Sequence, residues 1–185
     1  MKRKLQGHRD ANIFPRLNRI DATQLVESIK PNGLLHPVVL YEGRILDGRN
    51  RYAACLEAGV EPVFEEYKGP DALGYVVAQN MTRRHLSTSQ RAMAAAQIST
   101  LRQGARTDIA SKEAMSQPEA AKMMNVSRSA VQRAIVIKEK SPALTKAVRA
   151  GALSVSLAAK IAQLPLDVQT AVLSAPEEDI KETAK

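Results

Sequence analysis

The spacing of hydrophobic residues changes near the middle of this chain, from a mixed pattern to a purely helical one. In the first half, short apolar runs at 38–41, 44–46 and 63–67 have the length and the flanking turn residues of β-strands, and they alternate with helical segments. From Ser87 onward every apolar pattern has helical spacing. We therefore predict an α+β domain with a small mixed sheet, followed by an all-α domain. The predicted boundaries are 1–86 for the first domain, 87–174 for the second and 175–185 for an acidic flexible tail.

Turn and capping signals refine this organisation. Glu42-Gly43 separates the first two apolar runs and predicts a β-hairpin. Three segments have a short polar residue followed three positions later by Gln or Glu, the pattern of a capping box that opens a helix. They lie at 21–24, 87–90 and 116–119.

Charge and composition favour a polyanionic partner. The net charge is +8 and the pI is about 9.8, and residues 79 to 107 include five arginines and no acidic residue. Aromatic residues make up only 3% of the chain, which disfavours a stacking surface for single strands and favours duplex DNA. There is no apolar run of membrane-spanning length, and the single cysteine, Cys55, cannot form an internal disulfide. These features predict a cytoplasmic protein with no membrane partner.

Residues 116–137 have the pattern of a helix-turn-helix unit. Small or apolar residues would let two helices approach closely, and Asn125 stands where the turn needs a residue that tolerates a positive φ. Ser127 can cap the second helix, whose Val131 and Ala134 would face the first. The side chains that then point outward can bond base edges, and they are Arg128, Ser129, Gln132 and Arg133. The alternative is an ordinary helical hairpin with a solvated basic face.

Other basic residues are expected to contact phosphates rather than bases. Arg84 lies in the arginine-rich segment, and Lys122, Lys138 and Lys140 lie within or just beyond 116–137. Replacing Arg84 with alanine would weaken binding to all sequences alike.

A second motif lies upstream, where an apolar run ends in Asp47-Gly48 and a helix begins with Arg49-Asn50-Arg51. A helix start offers free N–H groups and a positive dipole end, and two arginines stand beside it. Gly48 permits a ligand to approach the backbone closely. The motif predicts a phosphate-binding cradle, and the alternative is a tight turn with solvated arginines.

Three motifs occur in a characteristic order: GLLHPVV at 33–39, DGRNRYAA at 47–54 and QNMTR at 79–83. Together they resemble the N-terminal domain of the ParB/sulfiredoxin superfamily, in which a long helix and a helix-turn-helix follow, as they do here. The last motif resembles the E-N-x-x-R sequence of ParB proteins. The resemblance extends over roughly residues 8 to 165.

The resemblance implies a nucleotide pocket, because proteins of the ParB type bind CTP with magnesium and use it to switch a DNA-bound clamp. Gly48 and Arg51 would hold phosphates, Asn80 would hold the metal-bound triphosphate, and Arg83 would lie at the same phosphate edge. His36 would contact the base, although a lone histidine is more often a surface group. The implied nucleotide-binding set is His36, Gly48, Arg49, Asn50, Arg51, Gln79, Asn80 and Arg83.

The resemblance also implies partners and a role. Duplex DNA, a second copy of the chain and a partition ATPase are the implied partners. Plasmid or mobile-element partition, or transcriptional regulation, is the implied role, with the protein associated with a bacterial nucleoid or plasmid.

Two departures from the family pattern weaken metal binding and hydrolysis. Arg49 stands where the family has a glutamate, and Gln79 replaces the glutamate of E-N-x-x-R. We therefore expect at most a weak CTPase. The alternative is an enzyme of the same superfamily, a kinase or a nuclease/NTPase, with Asp47 as its catalytic residue in the Asp47–Arg51 pocket. Sulfiredoxin chemistry is excluded, because it needs a cysteine in the helix-start loop and Cys55 lies one turn later.

Overall fold

A small sheet, three α-helices and a short 3-10 helix (Asp10–Ile13) form the first part of the chain, and only helices and their connections are found in the described residues of the second part. The computed structural model describes residues 4–83, 86–103 and 115–174. The chain divides into two units, Met1–Arg84 and His85–Lys185. The mixed α/β class predicted from the apolar spacing is confirmed.

The sheet of the first unit has the strand order β2-β1-β3. β1 (Val38–Tyr41) and β2 (Arg44–Asp47) are antiparallel and form the predicted hairpin, while β3 (Phe64–Glu66) pairs with β1 in parallel. Glu42 and Gly43 have φ of 50° and 68°. Two successive positive φ values are those of the tight turn whose twist matches a β-hairpin.

Three helices accompany the sheet: α1 (Arg19–Asn32), α2 (Arg49–Ala58) and α3 (Ala72–Arg83). α1 packs against α2 through a cluster that includes Val26, Ile29, Ala54 and Cys55. Cys55 is fully buried, and this burial raises the pKa of its thiol, so it packs as a small apolar residue with little thiolate.

The capping box predicted at 21–24 is wrong, because α1 begins earlier. Asn18 is the N-cap residue; its Oδ1 accepts from the Asp21 N–H at 2.8 Å, and its Nδ2 donates to Asp21 Oδ2 at 3.0 Å. Asn caps a helix as well as Asp does, and the Asp21 carboxylate completes a reciprocal pair from the third helical position. Sequence spacing alone therefore placed the helix start too late.

The second unit consists of α4 (Thr88–Gln103), α5 (Gln117–Met123), α6 (Arg128–Lys140), α7 (Pro142–Ala150), α8 (Val155–Ile161) and α9 (Leu166–Ser174). α4 packs against α5, α6, α7 and α8 through a buried face of small residues that includes Ala92, Ala95 and Ala96. Alanines let helix axes approach closely, so one helix can contact several neighbours. The capping box predicted at its start is present between Ser87 and Gln90.

The capping box predicted at Ser116 is also present. Glu119 N–H donates to Ser116 Oγ at 3.4 Å, while the Ser116 N–H and hydroxyl both donate to Glu119 Oε2 at 2.7 Å. The bonds from the Ser116 side chain and backbone lower the pKa of Glu119. The box therefore fixes where α5 begins.

Replacing Ser116 with alanine should lower the urea midpoint of the second unit at neutral pH and leave it less changed in acid. A carboxyl whose pKa is lowered by folding stabilises the fold above its unfolded pKa, and this contribution is lost as the pH falls through the lowered folded pKa of Glu119. Urea titrations followed by circular dichroism at neutral and acid pH would measure the difference. Ser116→Thr, which keeps the capping hydroxyl, serves as the control, and an equal loss at both pH values would contradict the prediction.

Candidate nucleotide pocket and nucleic-acid interface

A cavity of about 210 Å³ lies in the first unit, where the turn between β2 and α2 meets α3. The cavity brings together the motif at 47–51 and the adjacent pair Gln79 and Asn80. About thirty residues separate the motif from this pair in the sequence. The cavity is lined by Ala11, Leu17, Leu46, Asp47, Gly48, Arg49, Asn50, Arg51, Gln79 and Asn80. Six of the eight residues predicted to bind nucleotide therefore share one cavity.

Gly48 is the N-cap residue of α2 and has a left-handed backbone with φ of 89°. A Cβ at this position would lie 3.0 Å from Arg51 Nη2 and 3.2 Å from Arg51 Cζ and Nε. Glycine is therefore favoured here for two reasons. The backbone has a conformation that L side chains rarely adopt, and the Arg51 guanidinium lies where a Cβ would be crowded. The N-cap glycine provides no side-chain cap for the start of α2, which lines the cavity.

Arg51 is held at the cavity wall by two partners. Its Nη2 donates to the Pro37 carbonyl at 2.9 Å and to Asp47 Oδ2 at 3.2 Å. Its Nε is buried and has no hydrogen-bond partner within the described part of the chain. The guanidinium therefore has a desolvated donor beside a helix start, which suits an anion.

Asp47 lies in the cavity, as predicted, but its carboxylate is ion-paired. The side chains of Asp47 and Arg51 are only 18% and 21% exposed, so this pair is screened less than a surface pair. The Arg51 guanidinium therefore already occupies the Asp47 carboxylate. The position fits a residue that orients Arg51 better than it fits a catalytic base.

Arg49 has a different role from Arg51. Its Nη1 donates to Asn12 Oδ1 at 2.6 Å and its Nη2 to the Phe14 carbonyl at 2.8 Å. These bonds fasten the N-terminal segment to the start of α2 and make Arg49 part of the cavity wall. The sequence does not indicate a role for Asn12, because it belongs to no motif and lies far from Arg49 along the chain.

Three amide side chains complete the polar lining. Asn80 Nδ2 donates to the Val76 carbonyl of its own helix at 2.8 Å, and its Oδ1 is the atom chemically suited to a cation. Asn50 Oδ1 accepts from the Leu17 N–H at 3.4 Å, and Gln79 is half-buried. No cluster of three or more His, Cys, Asp or Glu side chains suitable for a metal is found among the described residues.

Two members of the predicted nucleotide set are not brought into the cavity lining. His36 is exposed just before β1 and does not line the cavity. Arg83 is the last residue of α3, and its side chain lies outside the described part of the structure. Arg84, predicted to contact DNA phosphate, also lies outside the described residues.

In the second unit, α5 and α6 are joined by a tight turn. Asn125 has φ of 49°, as the turn pattern predicted, and Ser127 Oγ accepts from the Ala130 N–H at 3.2 Å as the N-cap of α6. The two helices enclose a fully buried set, which includes Ala120, Met124, Val131, Ala134 and Ile137.

The N-terminal part of α6 has an exposed polar side. Arg128, Ser129, Gln132 and Arg133 are all exposed. Ser129 Oγ lies 3.1 Å from Ser127 Oγ, and Arg133 Nη1 donates to Ser156 Oγ on α8 at 3.3 Å. The structure therefore gathers the four predicted base contacts on one face of α6, and Ser156 of α8 bonds one of them.

Within the described ranges, no helix combines the length and the apolar character needed to cross a bilayer.

The arrangement can be compared with known proteins. No family model and no curated protein matches the chain. Among solved structures, the Pnob8-like ParB-N domain is similar with a TM-score of 0.57 and 15% identity, over 98% of this chain and 94% of that chain.

Two further similar structures are C-terminally truncated ParB proteins from Caulobacter crescentus. One is complexed to the centromeric parS site, with a TM-score of 0.42, 18% identity and coverage of 98% of this chain and 95% of that chain. The other is complexed with CTP-gamma-S, with a TM-score of 0.39, 20% identity and coverage of 96% and 94%. The similarity to the ParB-N domain, together with the order of the three motifs, shows that this chain has a ParB-like fold.

Proposed function

We propose that this protein binds duplex DNA sequence-specifically through α6 and binds a nucleotide in the cavity of its first unit. The observation that carries the proposal is the division of α6 into two faces. Val131, Ala134 and Ile137 are fully buried, whereas Arg128, Ser129, Gln132 and Arg133 are exposed on the other side, with Val136 as an exposed apolar neighbour. An exposed helix with this division and a second helix behind it is the arrangement that enters a major groove.

The chemistry of the exposed α6 face suits base recognition. Arginine can make two bonds to guanine, and glutamine can make two to adenine, each pair contributing about 1–3 kcal/mol of discrimination. Arg128 and Ser129 occupy the first turn of α6, which is the end that approaches base edges in helix-turn-helix proteins. The net charge of +8 adds the sequence-independent attraction to phosphates.

The cavity in the first unit fits the phosphate end of a nucleotide. Its volume of about 210 Å³ is below the range of about 300–1,000 Å³ that is usual for whole small-molecule pockets. Phosphates would lie against the α2 start and Arg51, and the base would extend outside the enclosed volume. The motif resemblance supports CTP as the nucleotide, with magnesium held at Asn80.

Two features favour nucleotide binding over catalysis as the role of the cavity. The Asp47 carboxylate is paired with Arg51, and Arg49 is bonded to Asn12 and the Phe14 carbonyl. A kinase or nuclease would need a carboxylate that can accept a proton or hold a metal. We therefore propose at most slow CTP hydrolysis. Asp47 lies in the cavity, as the kinase or nuclease alternative requires, but its ion pair with Arg51 favours a role in orienting that arginine.

The cellular role follows the same resemblance. Plasmid or mobile-element partition, or transcriptional regulation, is proposed, with a second copy of the chain and a partition ATPase as protein partners and the nucleoid or a plasmid as the location.

Binding to duplex DNA should weaken steeply with salt, because each phosphate neutralised by a basic residue contributes about −0.9 to the slope of log K against log salt. Fluorescence anisotropy with a duplex enriched from a random pool would give the slope, and a scrambled duplex and a single strand are the controls. A tight, salt-dependent isotherm for the enriched duplex is expected. A slope near zero, or equal affinity for all three nucleic acids, would overturn the proposal.

A further inference from the structure

The strand β3 (Phe64–Glu66) leaves one edge of the sheet open. β1 is paired on both sides, and β3 has β1 as its only strand neighbour in the part of the chain that the structure describes. An open edge presents main-chain N–H and C=O groups to which a further strand can bond.

The direction of those groups follows from the ladder with β1. The Val38 N–H donates to the Val63 carbonyl, and the Tyr67 N–H donates to the Leu40 carbonyl, both at 2.8 Å. In a parallel ladder alternate residues of one strand carry the bonds to its neighbour. Residues 63, 65 and 67 therefore bond β1, and the N–H and C=O groups of Phe64 and Glu66 point to the open edge.

The side chains along this edge are exposed and have an unusual composition for this chain. Val63 and Phe64 are 57% and 41% exposed. Between Arg51 and Lys68 there is no basic residue, whereas four exposed glutamates occur, in a protein whose net charge is +8. They are Glu57, Glu61, Glu65 and Glu66.

We propose that the open edge of β3 binds an extended, basic segment of a partner protein as an additional strand. Main-chain bonds to Phe64 and Glu66 would supply affinity, and Glu65 and Glu66 would select lysine or arginine on the two faces of the added strand. A short charged strand also protects sheet edges against strand addition. Charged residues alone would protect the edge, so protection does not explain the exposed apolar side chains of Val63 and Phe64. In an added-strand complex these side chains would pack against those of the partner strand.

The test uses the full chain and a synthetic peptide of about eight residues in which pairs of lysines alternate with pairs of valines, so that each face of the strand carries both types. A second peptide with glutamate in place of lysine is the control. Amide exchange followed by NMR should show that the lysine peptide slows exchange at Phe64 and Glu66, the two outward amides. The glutamate peptide should leave both unchanged.

Two variants separate the main-chain and charge contributions. Glu66→Pro removes an N–H that points away from β1, so the ladder between β1 and β3 keeps its bonds. It should weaken peptide binding about tenfold or more, because the peptide loses one main-chain hydrogen bond and the proline ring disturbs the docking of the added strand. Glu66→Gln keeps the N–H and should weaken binding less. Glu65→Lys combined with Glu66→Lys should reverse the preference, so that the glutamate peptide binds better.

The outcomes are decisive in both directions. Protection confined to Phe64 and Glu66, together with reversal in the charge-swapped variant, would support the proposal. It would be overturned by absence of binding, by lysine-peptide binding that Glu66→Pro leaves unchanged, or by peptide-free protection that grows with protein concentration, which would identify a second copy as the occupant. DNA binding does not enter these measurements, so their failure leaves the proposed function untouched.

Discussion

Gly48→Ala should destabilise the first unit by about 2–3 kcal/mol, whereas Gly43→Ala should cost only about 1 kcal/mol. Both glycines have positive φ, 89° for Gly48 and 68° for Gly43, so alanine is strained at each. At Gly43 an added Cβ meets nothing within 4 Å, but at Gly48 it meets the Arg51 guanidinium at 3.0 Å. Moving Arg51 away would break its bonds to Pro37 and Asp47, each worth about 0.5–1.5 kcal/mol.

Tyrosine fluorescence during urea unfolding would report the first unit selectively. The chain has four tyrosines and no tryptophan, and all four tyrosines lie before residue 76. The difference between the two alanine variants isolates the Arg51 contact from the backbone strain that they share. Equal losses for both variants would show that Arg51 moves without cost and would contradict the role assigned to its two bonds.

The same pair of variants tests the nucleotide proposal. A ligand at about 100 times its dissociation constant stabilises a protein by about 2.7 kcal/mol. CTP with magnesium should therefore raise the melting temperature of the wild type and of Gly43→Ala, but not of Gly48→Ala, and ATP and GTP are the matched controls. No shift with any nucleotide in the wild type would overturn nucleotide binding while leaving DNA binding open.

Local features of the fold were the ones that could be predicted from the sequence. The hairpin at Glu42-Gly43 and the positive φ of Asn125 depend on a few adjacent residues, and both are confirmed. The start of α1 was placed wrongly because Asn18 and Asp21 compete as caps of nearly equal strength. Which of the two residues becomes the N-cap depends on how the helix packs, and the spacing of residues in the sequence does not reveal that packing.

The separate roles of Arg49 and Arg51 could not be predicted, although both stand at the start of the same helix. Residues two positions apart on a helix point in different directions, so the two guanidinium groups meet different neighbours. Arg49 reaches Asn12 and the Phe14 carbonyl, while Arg51 reaches Asp47 and the Pro37 carbonyl. Those partners come from three different segments, and only the tertiary fold shows which arginine each one meets.

On the DNA side, Arg128→Ala and Gln132→Ala should each relax base preference while lowering affinity for unrelated duplexes only slightly. Each residue is exposed on α6, and loss of a bidentate contact should reduce discrimination by about 1–3 kcal/mol, which is about 5- to 150-fold. The loss should be confined to one base pair for each variant. Competition binding with a set of single-base variants of the enriched duplex would map that position.

Lys122→Ala is the matched control, because Lys122 is an exposed basic residue of α5 rather than of the α6 face. It should weaken binding to every duplex by a similar factor and reduce the salt slope by about one, as loss of a phosphate contact does. If Arg128→Ala and Gln132→Ala instead weaken binding to every duplex by a similar factor, the exposed face of α6 contacts only phosphates. Sequence preference would then have to come from another part of the protein.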